Sequence, residues 1–122
     1  AFPLARSVGA VEGGAEGRFP QSVIQTSPQS WAETDVAGLY ASGSPTQDPK
    51  ADKPGPVSLA AAVSAAAPNA PAGASPDAPT PEARMIVIGD SDFATNGALG
   101  IQGNRDLMLN MANWLAQQEN LI

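Results

Sequence analysis

Apolar residues along this chain come in short bursts, separated by stretches that hold almost none. Phe2 and Leu4 fall on one side of an extended segment, which predicts a first strand over residues 1–8. Four glycines in residues 9–17 predict a loop. Val23-Ile24 centre a predicted strand over 22–26. Ser27-Pro28 then resembles a helix start, because serine can accept from a free amide and proline tolerates the first helical position. Ser30 and Glu33 have capping-box spacing, so a short helical turn is expected within 28–40. Trp31 lies there as a packing anchor or as a ring on which a ligand stacks.

Residues 57–67 fit two patterns. Their alanines favour helix. Val57, Leu59, Ala61 and Val63 nevertheless alternate with smaller residues, as in a strand. Periodicity alone leaves both open. The last forty residues are plainer. Met85-Ile86-Val87-Ile88 form a continuous apolar run, the pattern of a central strand buried on both faces in a parallel sheet. Gly89-Asp90-Ser91-Asp92 ends it, a loop follows to Gly103, and residues 104–118 predict an amphipathic helix capped by Asn104. Leu107, Met108, Met111, Trp114 and Leu115 share one face, with Leu109, Ala112 and Ala116 on its flanks, so the helix is expected to lie largely buried on the sheet. Strand, loop and helix make an α/β unit whose loop sits at the carboxyl end of the strand, where open α/β sheets bind ligands.

Between the bursts, proline is concentrated: nine of the twelve fall from Pro45 to Pro81. Residues 41–56 predict a Pro-rich loop. Residues 65–82 predict a disordered or extended Ala/Pro-rich insertion, because 68–81 have almost no apolar bulk to offset ordering entropy. Leu, Ile, Val and Phe total 23 of 122 residues, so a core must be small, and the 43% hydrophobic fraction rests heavily on alanine. The chain starts with Ala1 and ends just after a strong helix. It reads as a single α/β domain fragment, 1–122, of a longer protein.

Histidine and cysteine are absent, which removes Ser-His-Asp and Cys-His catalysis, structural zinc fingers and thiol redox chemistry from within the chain. Acids outnumber bases twelve to six, and the six bases are scattered. No basic face for nucleic acid is expected.

The segment GDSDF carries the remaining chemistry. An apolar strand ending in Gly-Asp-Ser is the setting of a nucleophilic serine in GDSL-type esterases, but Ser91 has no histidine to take its proton. Asp90 and Asp92 have the Asp-x-Asp spacing of aspartate-based phosphatases, where one carboxylate attacks and the other is acid/base beside magnesium. Ala94 stands where that pattern has threonine, and no lysine follows to hold a phosphate. The structural alternative is that both carboxylates accept from loop amides and bracket the turn, with Asn110 and Asn113 bonding the same loop.

The run ARMIVIGDSDFATNGALGIQGNRDLMLNMANWLAQQENLI resembles the C-terminal part of the GldG-type, gliding-motility-associated auxiliary proteins of ABC transport systems. TSPQSWAET resembles an upstream segment of the same family. The resemblance covers about 19–40 and 83–122. It implies a partial three-layer α/β fold with a mostly parallel sheet, flavodoxin-like or class I glutamine amidotransferase-like. It tilts residues 57–64 towards strand. It also implies an extracytoplasmic, periplasmic domain of a membrane-tethered protein that associates with ABC permease and ATPase subunits, with no enzymatic activity and no cofactor. The amidotransferase cysteine and histidine have no counterpart here.

Two functions are therefore carried forward. The first is a non-catalytic auxiliary or scaffold domain that binds protein or ligand through Asp90, Ser91, Asp92, Asn96, Asn104 and Arg105. The alternative is a metal-dependent hydrolase using Asp90 and Asp92. A homodimer through an exposed sheet edge is a further expectation.

Overall fold

The alanine-rich run forms a strand and becomes the centre of the sheet in the computed structural model, which describes residues 2, 4–11, 13, 14, 16, 18–67 and 82–117. The elements follow as β1 (Gln21–Gln25), β2 (Trp31–Ala32), α1 (Val36–Ser42), β3 (Lys53–Pro54), β4 (Ser58–Ala66), β5 (Glu82–Ile88), a 3-10 turn (Asp92–Ala94) and α2 (Asn104–Leu115). One sheet has the order β1-β4-β5, and β2 and β3 pair separately. Helix propensity is a weak preference beside two flanking ladders, and β4 is hydrogen-bonded on both sides.

Register defines the faces. Ile24, Ala60 and Ile88 stand in one row across the sheet, with Ala62 opposite Ile86. Helix α2 lies on this face: the Arg84 Nη1 donates to the Trp114 carbonyl at 2.7 Å, and its guanidinium sits 5.0 Å from the centre of the Trp114 ring. The opposite face pairs Ala61 with Val87 and Val63 with Met85. The buried apolar residues are Val57, Leu59, Ala60 and Phe93 among those described. Removing Leu59 from water contributes about 2 kcal/mol, a large share of what so small a core can supply.

Several expectations are corrected. The sheet is antiparallel at both pairings, not parallel. β5 is its outer strand, and exposure alternates along it, with Met85 and Val87 55% and 45% exposed. An apolar run of four residues does not by itself distinguish a doubly covered strand from one with a single covered face. Here α2 covers only the face of Ile86 and Ile88. Helix α2 is also less buried than expected: Leu109, Met108 and Leu115 remain exposed. Its amphipathic stripe is wider than the three-stranded sheet can cover.

Residues 4–8 form no strand, yet they are tied across the end of the sheet. The Arg6 N–H donates to the Gly89 carbonyl at 2.7 Å, and the Val8 N–H to that of Ser58 at 2.9 Å. The helix expected within 28–40 begins later, at Val36, with Asp35 as its cap: Asp35 Oδ1 accepts from the Gly38 N–H at 2.9 Å. Ser27-Pro28 instead enter a turn closed by Ser30 N–H to the Ser27 carbonyl. Glu33 makes no capping box, because its carboxylate accepts from Trp31 Nε1 and from the Asp35 N–H. Within 41–56, the expected loop contains β3 and a buried aspartate, Asp52. The expected insertion falls mainly on residues 68–81, which lie outside the described residues; Ala65 and Ala66 at its start and Glu82 at its end are strand positions.

Candidate functional site

The carboxyl end of β5 is built around a glycine. The backbone carbonyl of Arg6 crosses so close to Gly89 that a Cβ there would overlap it. Only a residue without a side chain lets the N-terminal segment close over the strand end. The Gly89 N–H continues the ladder to the Leu59 carbonyl at 2.9 Å. Asp90 then turns its carboxylate back on its own loop: Oδ1 accepts from the Asp92 N–H at 2.8 Å. Its Oδ2 is buried with no hydrogen-bond partner.

Ser91 and Asp92 are exposed and lead into the 3-10 turn, whose Phe93 is 3% exposed. The Phe93 ring lies 5.3 Å from that of Phe2 with a 38° tilt, so this turn is pinned by an aromatic pair. Asp92 closes the turn through its backbone, its carbonyl accepting from the Thr95 N–H and Oγ1. Asn96 is exposed beyond it.

Asn104 is placed differently from its expected role. The cap of α2 is Gly103, at φ 77°, and Asn104 is the first helical residue. The residue is 2% exposed, and its Nδ2 donates to the Ala98 carbonyl at 2.9 Å. The asparagine thus ties the loop after β5 to the start of α2, the task the sequence assigned to the two aspartates. Arg105 is exposed on the next position, and Asn110 is exposed further along the helix, facing a groove. The structure therefore gathers Asp90, Ser91, Asp92 and Asn96 on one turn and joins Asn104 to it. Asp90 and Asn104 serve the loop, whereas Ser91, Asp92, Asn96 and Arg105 face outward.

Among the described residues, no group of three acidic side chains is arranged to hold a metal ion. Asp90 Oδ1 is engaged by the turn and Oδ2 is buried, so this carboxylate is not presented to solvent beside Asp92.

Behind the loop, an open groove of about 620 Å³ runs between β1 and α2, with Phe19, Ile24, Ile86, Leu107, Met111 and Trp114 among its walls. Among the described residues, the only charged one lining it is Arg18, which is bonded to Glu16 at 3.0 Å. The groove is the uncovered remainder of the α2 face.

The residue sequence reasoning missed is Asp52. It is 6% exposed and holds three donors: Oδ1 accepts from the Thr34 N–H and hydroxyl, both at 2.9 Å, and Oδ2 from the Asp48 N–H at 2.7 Å. The Asp48 amide, followed by the two Thr34 donors, holds its pKa below the ordinary carboxylate value, against the opposing effect of burial. No periodic pattern in 41–56 marks this position, because the pairing to Thr34 spans eighteen residues.

No helix among the described residues is long and apolar enough to cross a membrane. A family model described as an ABC-type uncharacterized transport system matches residues 7–117 of the chain. Comparison with curated proteins and with solved structures finds no match.

Proposed function

The chain belongs to the ABC-type uncharacterized transport system family, an auxiliary component of such systems, and from that premise we propose that it is a GldG-type, gliding-motility-like scaffold domain. In this proposal it stands outside the cytoplasm, on the periplasmic side, within a membrane-tethered protein. The full-length protein associates with ABC permease and ATPase subunits, and this domain carries out no reaction of its own. The family match over 7–117 carries the proposal, since it runs from the N-terminal crossing segment to the end of α2. The GldG resemblance of GDSDF and of TSPQSWAET supplies the finer assignment.

The loop chemistry supports binding rather than turnover. Asp90 Oδ1 and Asn104 Nδ2 are engaged in holding the loop, and its outward groups, Ser91, Asp92, Asn96 and Arg105, offer mixed polar contacts of the kind found at the rim of a protein interface. The flavodoxin-like or class I glutamine amidotransferase-like fold stays part of the proposal in its layering, a sheet with a helix on one face, and not in its strand direction.

Retention of the purified chain by its membrane-embedded permease tests this. Binding that is lost in Asp92→Ala/Arg105→Ala, with the melting temperature unchanged, is the expected result. No retention, together with magnesium-dependent hydrolysis of a phosphoester that Asp92→Ala abolishes, overturns it.

A further inference from the structure

The two margins of the sheet are built differently. β1 is bulged: its register against β4 shifts between Ser22 and Ile24 and again between Ile24 and Gln25. Its residues are mostly polar, Gln21, Ser22 and Gln25 among them. Bulges and polar side chains are the usual means of blunting an edge. β5 has neither. Its seven residues keep an unbroken register with β4, and Met85 to Ile88 contain no charge, no proline and no glycine. No described strand lies on its outer side.

From this contrast we infer that β5 is an interaction edge and that its occupant is a second copy of this chain, paired antiparallel about a two-fold axis at Ile86. The inference rests on the proposed function only in taking the chain as a binding module.

Three observations fit a copy of the same strand. The Gly89 N–H bonds to β4, so odd-numbered residues of β5 direct their backbone groups inward and Ile86 directs its own outward. Centred there, Ile86 exchanges two backbone hydrogen bonds with the partner's Ile86. The same register sets Met85 beside the partner's Val87 and Val87 beside the partner's Met85. That doubles an apolar row which none of the described elements covers. Charge does not oppose the pairing at its centre, where Met85 to Ile88 carry none. The chain carries a net charge of −6, but the two charges of β5, Glu82 and Arg84, are bonded to each other at 3.1 Å. The edge itself is neutral, so two copies meet there with the least repulsion.

Sedimentation velocity over a concentration series tests the pairing. The expected result is a dimer that Met85→Lys weakens about tenfold or more by placing an ammonium against the partner's Val87, and that Gln25→Lys on the blunted edge leaves intact. If Met85→Lys impairs folding, hydrogen exchange on the unaltered chain decides: the Ile86 amide is protected at high concentration and exchanges on dilution. A chain monomeric at every concentration, a dimer indifferent to Met85→Lys, or an Ile86 amide whose exchange ignores dilution overturns the inference. A monomer that the permease still retains would sink this inference and leave the transport proposal standing.

Discussion

Residues 26–57 and residues 82–117 are ordered by different forces. In the first region side chains capture backbone groups. Thr26 Oγ1 accepts from the Val57 N–H at 2.7 Å, Asp52 gathers Thr34 and Asp48, Asp35 caps α1, and the Gly55 N–H reaches the Ser30 carbonyl at 2.7 Å. Helix α1 buries no residue at all. The second region is ordered by apolar surface: Ile86 and Ile88 face α2, Phe93 packs on Phe2, and Arg84 lies over Trp114. A polar segment with too little apolar bulk for a core can thus be given a defined path when its short polar side chains satisfy the backbone at long range. Such order is directional and sensitive to protonation, whereas the apolar unit depends on volume and area.

Substitutions can break that contrast. Gly89→Val should have the largest effect, about 4 kcal/mol, because the Arg6 backbone leaves no room for a side chain; urea denaturation measures it, and a loss under 1 kcal/mol would show that the N-terminal crossing yields easily. Phe93→Ala should follow at about 3 kcal/mol through the cavity beside Phe2. Calorimetry at several pH values should find that loss independent of pH.

Asp52→Ala sharpens the comparison through its pH dependence. The folded carboxyl has a depressed pKa, so its contribution is present above the ordinary carboxylate value and is lost as pH falls through the lower folded value. The melting temperature of the parent chain should therefore fall in that acid window more steeply than that of Asp52→Ala. Coincident acid limbs would contradict the assignment. Asp35→Ala should have the smallest effect, about 1 kcal/mol from loss of the α1 cap. Hydrogen exchange should localise it to α1 without altering the amides of β5.

Legibility in the sequence follows the same division. β1, β5 and α2 were readable because their apolar residues recur within a few positions, and Gly89 was readable as a break. The position of Asn104 at the start of α2 was close, but its task was not: the cap fell to Gly103 in a left-handed conformation, which freed the Asn104 side chain to turn inward to Ala98. Asp52 and the β2–β3 pair were invisible, since their partners are brought near only by folding. The dissociation of the two aspartates, one turned inward and the other exposed, also lay beyond spacing.

By itself the sequence determined local matters: where apolar runs start and stop, and which reactions lack their residues because histidine and cysteine are missing. It also carried a resemblance to auxiliary proteins of ABC transport systems, and at that level the family match agrees. Strand direction, the central place of β4 and the exposure of Met85 and Val87 were decided only by the tertiary structure. The reason is physical: an apolar run states that some surface must leave water, but which face does so depends on the neighbours it meets, and those come from elsewhere in the chain.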